Sequence, residues 1–131
     1  MIVTSQQVHF EQPDTGAALA RLSRVELDQL DFGVIGFDVS THVRAYNAFE
    51  SRAAGLTPER VVGHPLFKVV APCMDNFMVA QRFEDAKASG QVLDVVIPYV
   101  LTLRMRPTAV RLRLVAMPGA VLRYVLVQRN G

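Results

Sequence analysis

Apolar positions along the chain change their spacing from segment to segment, and each change predicts a different element. From Gly16 onward Leu19, Leu22, Val25, Leu27 and Leu30 recur at near-helical intervals. This predicts one helix or two short ones ending at Asp31, with Asp14 and Thr15 as cap residues. The polar stretch Gln6 to Thr15 before it reads as an irregular surface arm. Phe32 to Asp38 is a buried strand, Val39-Ser40-Thr41 a turn, and His42 to Tyr46 a returning strand. Asn47 caps a short helix, AFESRAA, that Gly55 stops. Thr57-Pro58-Glu59-Arg60 opens another helix of one or two turns, closed by Gly63. His64 to Cys73 has a proline near each end and suits a buried connector. Asp75 caps a predicted helix from Asn76 to Ser89, with Phe77, Ala80, Phe83 and Ala86 on its inner face and Gly90 at its end.

The rest predicts strands: Gln91 to Met105, a turn at Arg106-Pro107-Thr108, Ala109 to Met117, a turn at Pro118-Gly119, and Val121 to Arg129. Two strands, short helices, a longer helix and three strands make an α+β, sensor-like domain. Its five-stranded antiparallel sheet carries helices on one face and an N-terminal helical cap. Such an order encloses a cavity between sheet and helices, and the irregular helical segment forms a wall that gives way on signalling.

Composition narrows the function. The chain has 131 residues, half of them hydrophobic and a fifth charged, enough for one well-filled core and too few for two domains. Fourteen basic against twelve acidic side chains leave a net charge of +2. The pI near 9.0 thus reflects a small imbalance and implies no nucleic-acid partner. A single cysteine, Cys73, excludes an internal disulfide and a multi-cysteine zinc site. No apolar run is long enough for a membrane helix and the start does not read as a signal peptide, so a cytoplasmic location is expected. His9, His42 and His64 lack ligand-type neighbours, and no phosphate loop or hydrolase motif is present. An enzyme is not expected.

The candidate chemistry is sparse. Cys73 lies on an apolar connector just before the cap expected at Asp75. It is either a small buried hydrophobe or a thiol whose thiolate is favoured by a helix N-terminus. Glu50 shares a helix with Phe49, Ala53 and Ala54. If it faces inward it is a carboxylic acid among apolar groups, kept protonated by desolvation and able to donate to an anion; otherwise it is an exposed helix glutamate. Tyr46 ends a strand beside it and is either a core tyrosine or a phenol pointing into the cavity. Arg104, Arg106, Arg111 and Arg113 alternate with apolar residues and fall on one face of a hairpin. That face is either solvated and partly paired with Glu26, Asp28 and Asp31, or a docking patch for an acidic partner.

Several blocks together resemble the photoactive yellow protein family, small PAS-fold blue-light receptors. They are Asp31-Phe-Gly-Val-Ile, Tyr46-Asn-Ala-Phe-Glu50, Val62-Gly-His-Pro-Leu-Phe-Lys-Val-Val-Ala-Pro-Cys73-Met-Asp75, Ala88-Ser-Gly90 and Met105-Arg-Pro-Thr108. The likeness runs from about Leu27 to Arg129. It implies an arm and helical cap over residues 1–26 and a PAS domain over 27–131.

The resemblance implies a covalent 4-hydroxycinnamate (p-coumarate), joined as a thioester to Cys73, with its buried phenolate held by Tyr46 and Glu50. It places Val70, Ala71, Pro72, Tyr99 and Met105 around that chromophore, together with Ala54 and Leu56. The last two depart from the family, which usually has a threonine bonded to the tyrosine and an arginine over the chromophore; Leu101 and Leu103 also replace aromatics. Light-driven isomerisation and proton transfer from Glu50 would leave a buried carboxylate and open the structure. The N-terminal arm and helix are expected to loosen, since they cover the sheet with few charges of their own fixed inside. The expected partner is a separate, unidentified downstream signalling protein, with no nucleic acid or membrane involved, and the chain is expected to be a monomer or weak homodimer. The alternative is a chromophore-free PAS module of the same lineage acting through protein contacts. A thiol redox sensor at Cys73 would lack a resolving cysteine.

Overall fold

The computed structural model describes residues 8–102 and 107–129. Strands β1 (Gly33–Phe37), β2 (Val43–Tyr46), β3 (Leu93–Leu101), β4 (Thr108–Ala116) and β5 (Arg123–Arg129) form one antiparallel sheet in the order β2-β1-β5-β4-β3. The last strand of the chain thus lies in the middle of the sheet. β1 and β5 are buried on both faces, which is why GVIGF and YVLV read as continuous apolar runs rather than alternating ones. Pro98 is tolerated because β3 is an edge strand, where one row of ladder bonds has no neighbour to serve.

On one face Ile35, Phe37, Val125 and Val127 meet Val61, Leu66, Phe67, Met74 and Phe83 from the helical segments. Phe37 makes edge-to-face contacts with Phe67 at 5.6 Å and with Phe83 at 4.9 Å, the arrangement that ring quadrupoles favour. On the other face Val34, Val115, Tyr124 and Leu126 are covered by Val8, Phe10, Ala18, Leu19, Leu30 and Phe32. The N-terminal segment is therefore the lid of a second core.

Its helical part is two short helices, α1 (Thr15–Ala20) and α2 (Arg24–Leu27). Asp14 holds the cap position of α1 without a capping bond. Ser23 starts α2 with a full capping box: its Oγ accepts from the Glu26 amide at 3.1 Å, and Glu26 Oε1 accepts from the Ser23 amide at 2.8 Å. α3 (Ala48–Ala54) follows Asn47 and ends at Gly55, whose φ of 74° only glycine adopts without strain. α4 (Pro58–Val61) has proline at its first turn, and Thr57 makes no side-chain cap bond.

The segment expected to be an irregular connector is instead two tight turns. A π-type turn spans Leu66–Val70 and a 3-10 turn spans Pro72–Met74. Pro65 and Pro72 bracket the first turn; each lacks an amide hydrogen and so stops a longer helix from forming. The following helix is shorter than its pattern predicts. α5 runs Ala80–Ser89, because Asn76 Oδ1 accepts from the amides of Met78 (3.0 Å) and Val79 (3.2 Å) and holds them outside the helical ladder. Phe77, expected on the inner face, is 84% exposed.

The arginine face is also corrected. Arg113 is buried, binding Asp94 through Nε and Nη2 at 2.8 Å each. Its Nη1 donates to the carbonyls of Phe10 (2.8 Å) and Gln12 (2.7 Å) and to Thr15 Oγ1 (2.8 Å). Arg111 pairs with Glu11 at 2.7 Å, donates to Gln128 and lies over the Phe10 ring. Neither guanidinium is a solvated group paired with Glu26, Asp28 or Asp31. The alternation put both on one face, and the arm at residues 8–15 lies across it. The arm is thus held by guanidinium groups that belong to the sheet. Arg104 and Arg106 lie outside the described residues.

Candidate functional site

Asn47 sets the local geometry. It is fully buried, and its Oδ1 accepts from the amides of Val34 (3.0 Å) and Glu50 (3.1 Å). Its Nδ2 donates to the carbonyls of Leu27 and Phe32, both at 3.0 Å. One side chain therefore caps α3 and ties it to β1 and to the segment that follows α2. Sequence spacing revealed only the cap.

With α3 fixed over β1, Glu50 points inward and is 2% exposed. Gly33 makes room for it, since a Cβ at that position would sit 2.0 Å from Glu50 Oε1. The surroundings of Glu50 differ from those expected. Arg129 Nη1 donates to Oε1 at 2.7 Å and Nη2 donates to Oε2 at 3.1 Å, a two-pronged ion pair with the guanidinium only 17% exposed. Glu50 therefore lies against a cation and not among apolar walls alone. No local spacing links the two residues, because Arg129 sits 79 positions from Glu50 in the chain. A usable signal was present: strand alternation puts it on the same face as Val125 and Val127.

Tyr46 is buried at the end of β2, opposite Ile35. It belongs to the same apolar cluster as Val70, Ala71 and Tyr99, and Leu56 and the half-buried Cys73 pack against that cluster. Cys73 is a free thiol within the 3-10 turn. The helix-dipole argument for its activation does not hold, because α5 begins only at Ala80 and Asp75 is not its cap. Asp75 instead binds Lys68 Nζ at 2.8 Å, and this hydrogen bond holds the lysine above its ordinary range.

The backbone of Cys73 is fixed from the sheet. Tyr99 Oη donates to the Cys73 carbonyl at 2.5 Å. Asn76 Nδ2 reaches both that carbonyl (3.2 Å) and Tyr99 Oη (2.6 Å). Tyr99 is therefore buried as a wall residue with its polar end committed to the cysteine turn. Ala54 is half-buried at the end of α3, Pro72 is exposed, and Arg52 is exposed on the outer side of α3. Leu56 packs on the core while its carbonyl accepts from Ser51 Oγ at 2.7 Å. Met105 lies outside the described residues, as does Leu103.

Among the described residues no cluster of histidine, cysteine and carboxylate side chains is arranged to hold a metal. No helix there is long and apolar enough to cross a membrane.

The fold is that of a PAS domain: the PAS-fold family profile matches residues 27–130. The photoactive yellow protein of Rhodothalassium salexigens is 34% identical over 109 residues, covering 83% of this chain and 86% of the relative. That of Halochromatium salexigens is 37% identical over 107 residues, covering 82% and 85%. Among solved structures, the photoactive yellow protein domain of the sensor histidine kinase Ppr from Rhodospirillum centenum superposes with a TM-score of 0.79 at 32% identity. It covers 86% of this chain and 98% of that domain. Within the PAS fold, the chain belongs to the photoactive yellow protein family.

Proposed function

We propose that this protein is a blue-light receptor that carries 4-hydroxycinnamate as a thioester on Cys73. The observation that carries the reading is the convergence on one side of the sheet. A free, half-buried thiol packs against the cluster containing Tyr46, and Glu50 is buried on that same sheet face. The donor set fits the group. A thiol can take an acyl link, a phenol and a carboxyl group can hold a ring oxygen, and a guanidinium supplies the cation that a buried anion requires.

In loading, Cys73 Sγ attacks the carbonyl of an activated hydroxycinnamoyl thioester. The new S–C bond replaces the bond to the donor's thiol, which leaves with the proton from Cys73. When bound, the group absorbs blue light and isomerises about its double bond. The protein's share is to position and exclude. Tyr99 and Asn76 fix the Cys73 turn, Val70 and Ala71 keep water from the ring side, and Tyr46 donates its O–H. Glu50 holds or releases one proton at a carboxyl oxygen. Ala54, Leu56, Pro72 and Met105 complete the proposed surround. The signal passes to a partner protein; the solved relative is a domain of a sensor histidine kinase, which makes a kinase-type output the first to test.

A second reading, a chromophore-free interaction module, is favoured by one observation: Glu50 already has both oxygens satisfied by Arg129.

The test is to mix the purified protein with an activated 4-hydroxycinnamoyl thioester and record intact mass and visible absorption. The expected result is an adduct absent from Cys73→Ala, with a visible band that bleaches under blue light and returns in the dark. An adduct that never bleaches would mean a binding site without a photocycle. No adduct on reduced wild-type protein would leave the second reading.

A further inference from the structure

Glu50 is held through both oxygens by a guanidinium from the central strand. A carboxyl group gripped in this way can serve a ring oxygen only if the guanidinium faces both, because the two oxygens with a single proton between them leave one buried anion, which requires a cation. Arg52, the arginine of α3 itself, is exposed and makes no such contact with Glu50, whose two oxygens are taken by Arg129. Gly33 leaves the carboxylate directly over β1, and Arg129 follows two residues after Val127, the residue paired with Gly33. The ion pair is thus built into the strand register and does not depend on a mobile side chain at the surface.

We propose that Arg129 is the counter-ion and positioning residue of the ring site. This rests on the light-receptor reading and deepens it. Glu50 takes up or returns one proton at a carboxylate oxygen, the proton coming from or going to the ring hydroxyl. Arg129 then faces one anion in either case: the carboxylate when the proton is on the ring oxygen, the ring oxygen when it is on Glu50. Charge is conserved inside the site and no redox partner is needed. The side chains that face the ring oxygen in this arrangement are Tyr46 from β2, Glu50 from α3 and Arg129 from β5, while the Cys73 thiol is consumed by the acyl link. A further consequence is that a carboxylate left on Glu50 is a paired one, so it drives a smaller opening than an unpaired buried charge would.

The experiment uses wild type, Arg129→Gln and Arg129→Lys, each first checked for a native far-ultraviolet circular dichroism spectrum. Without ligand, 13C-labelled glutamate NMR reads the Glu50 carboxyl resonance, assigned through Glu50→Gln. It is expected to move in Arg129→Gln and to stay nearer its wild-type position in Arg129→Lys. After loading with the activated thioester, acid titration of the visible band reads the ring oxygen. Removing an adjacent cation disfavours the ring anion, so the pH at which half the band is lost should rise by about one unit or more in Arg129→Gln, roughly a tenfold change in the ionised-to-neutral ratio. Arg129→Lys should restore much of it. An unmoved Glu50 resonance overturns the proposal, as does an adduct whose titration is the same in all three proteins. Failure of wild type to form any adduct overturns the light-receptor reading and takes the proposal with it, an outcome distinct from both.

Discussion

Glu50 shows how little of a buried residue's meaning lies in its own helix. The residues of AFESRAA leave its placement open between inward and exposed, and the cap at Asn47 does not decide it. Its partner is hidden as well, because Arg129 is distant in sequence and belongs to an element whose place in the sheet periodicity does not reveal. Gly33 is the third member of this group, and its lack of a Cβ is what the carboxylate occupies. Gly33→Ala should therefore lower stability by about 1–3 kcal/mol in urea unfolding, the usual range for forcing an atom into filled space. The penalty should shrink when Glu50 is also replaced by alanine, because most of the clash is with the carboxyl end. An equal penalty in both backgrounds would show that the two residues do not meet.

At the scale of elements, the strands, α3 and the short α4 follow from alternation, caps and glycine stops, whereas α5 and the connector do not. Asn76 draws two amides away from the start of α5, a local competition that apolar spacing cannot register. What anchors the arm is hidden from the sequence for a different reason. Its attachment depends on Arg113, which pairs with Asp94 and also donates to two carbonyls and a hydroxyl of residues 10–15. Arg113→Gln should cost about 2–3 kcal/mol, somewhat below the range for a fully buried pair because the Asp94 side chain remains 33% exposed. Hydrogen exchange is the sharper readout. Protection should fall across residues 10–19 and persist in β1 and β5; uniform loss, or none, would mean that the arm is not held by this residue.

At the scale of the whole molecule, the five strands and their antiparallel pairing were legible, but the order of strands and the second core were not. Alternation tells which side of a strand is apolar, and β5 is apolar on both over Tyr124–Val127, a hint that something covers the outer face. Tyr124 belongs to that outer core, and burial raises its phenol above the ordinary value. The sign follows from linkage. The folded protein keeps the proton where the unfolded chain releases it, so this contribution is intact below about pH 10 and is lost as pH climbs through the raised value. Tyr124→Phe, which cannot ionise, should therefore gain on wild type between pH 8 and pH 11 in urea unfolding. A difference between the two proteins that stays constant with pH would refute the assignment.

The position of β5 has one more consequence. Neighbouring residues on it serve separate compartments, Val125 and Val127 one and Tyr124 and Leu126 the other. A deletion of a single residue just before Tyr124 would invert the whole strand, turning Arg129 out of its slot and bringing Gln128 to the place opposite Gly33 that Val127 now holds. Length, more than composition, is therefore what evolution or an engineer must preserve in this last stretch of chain.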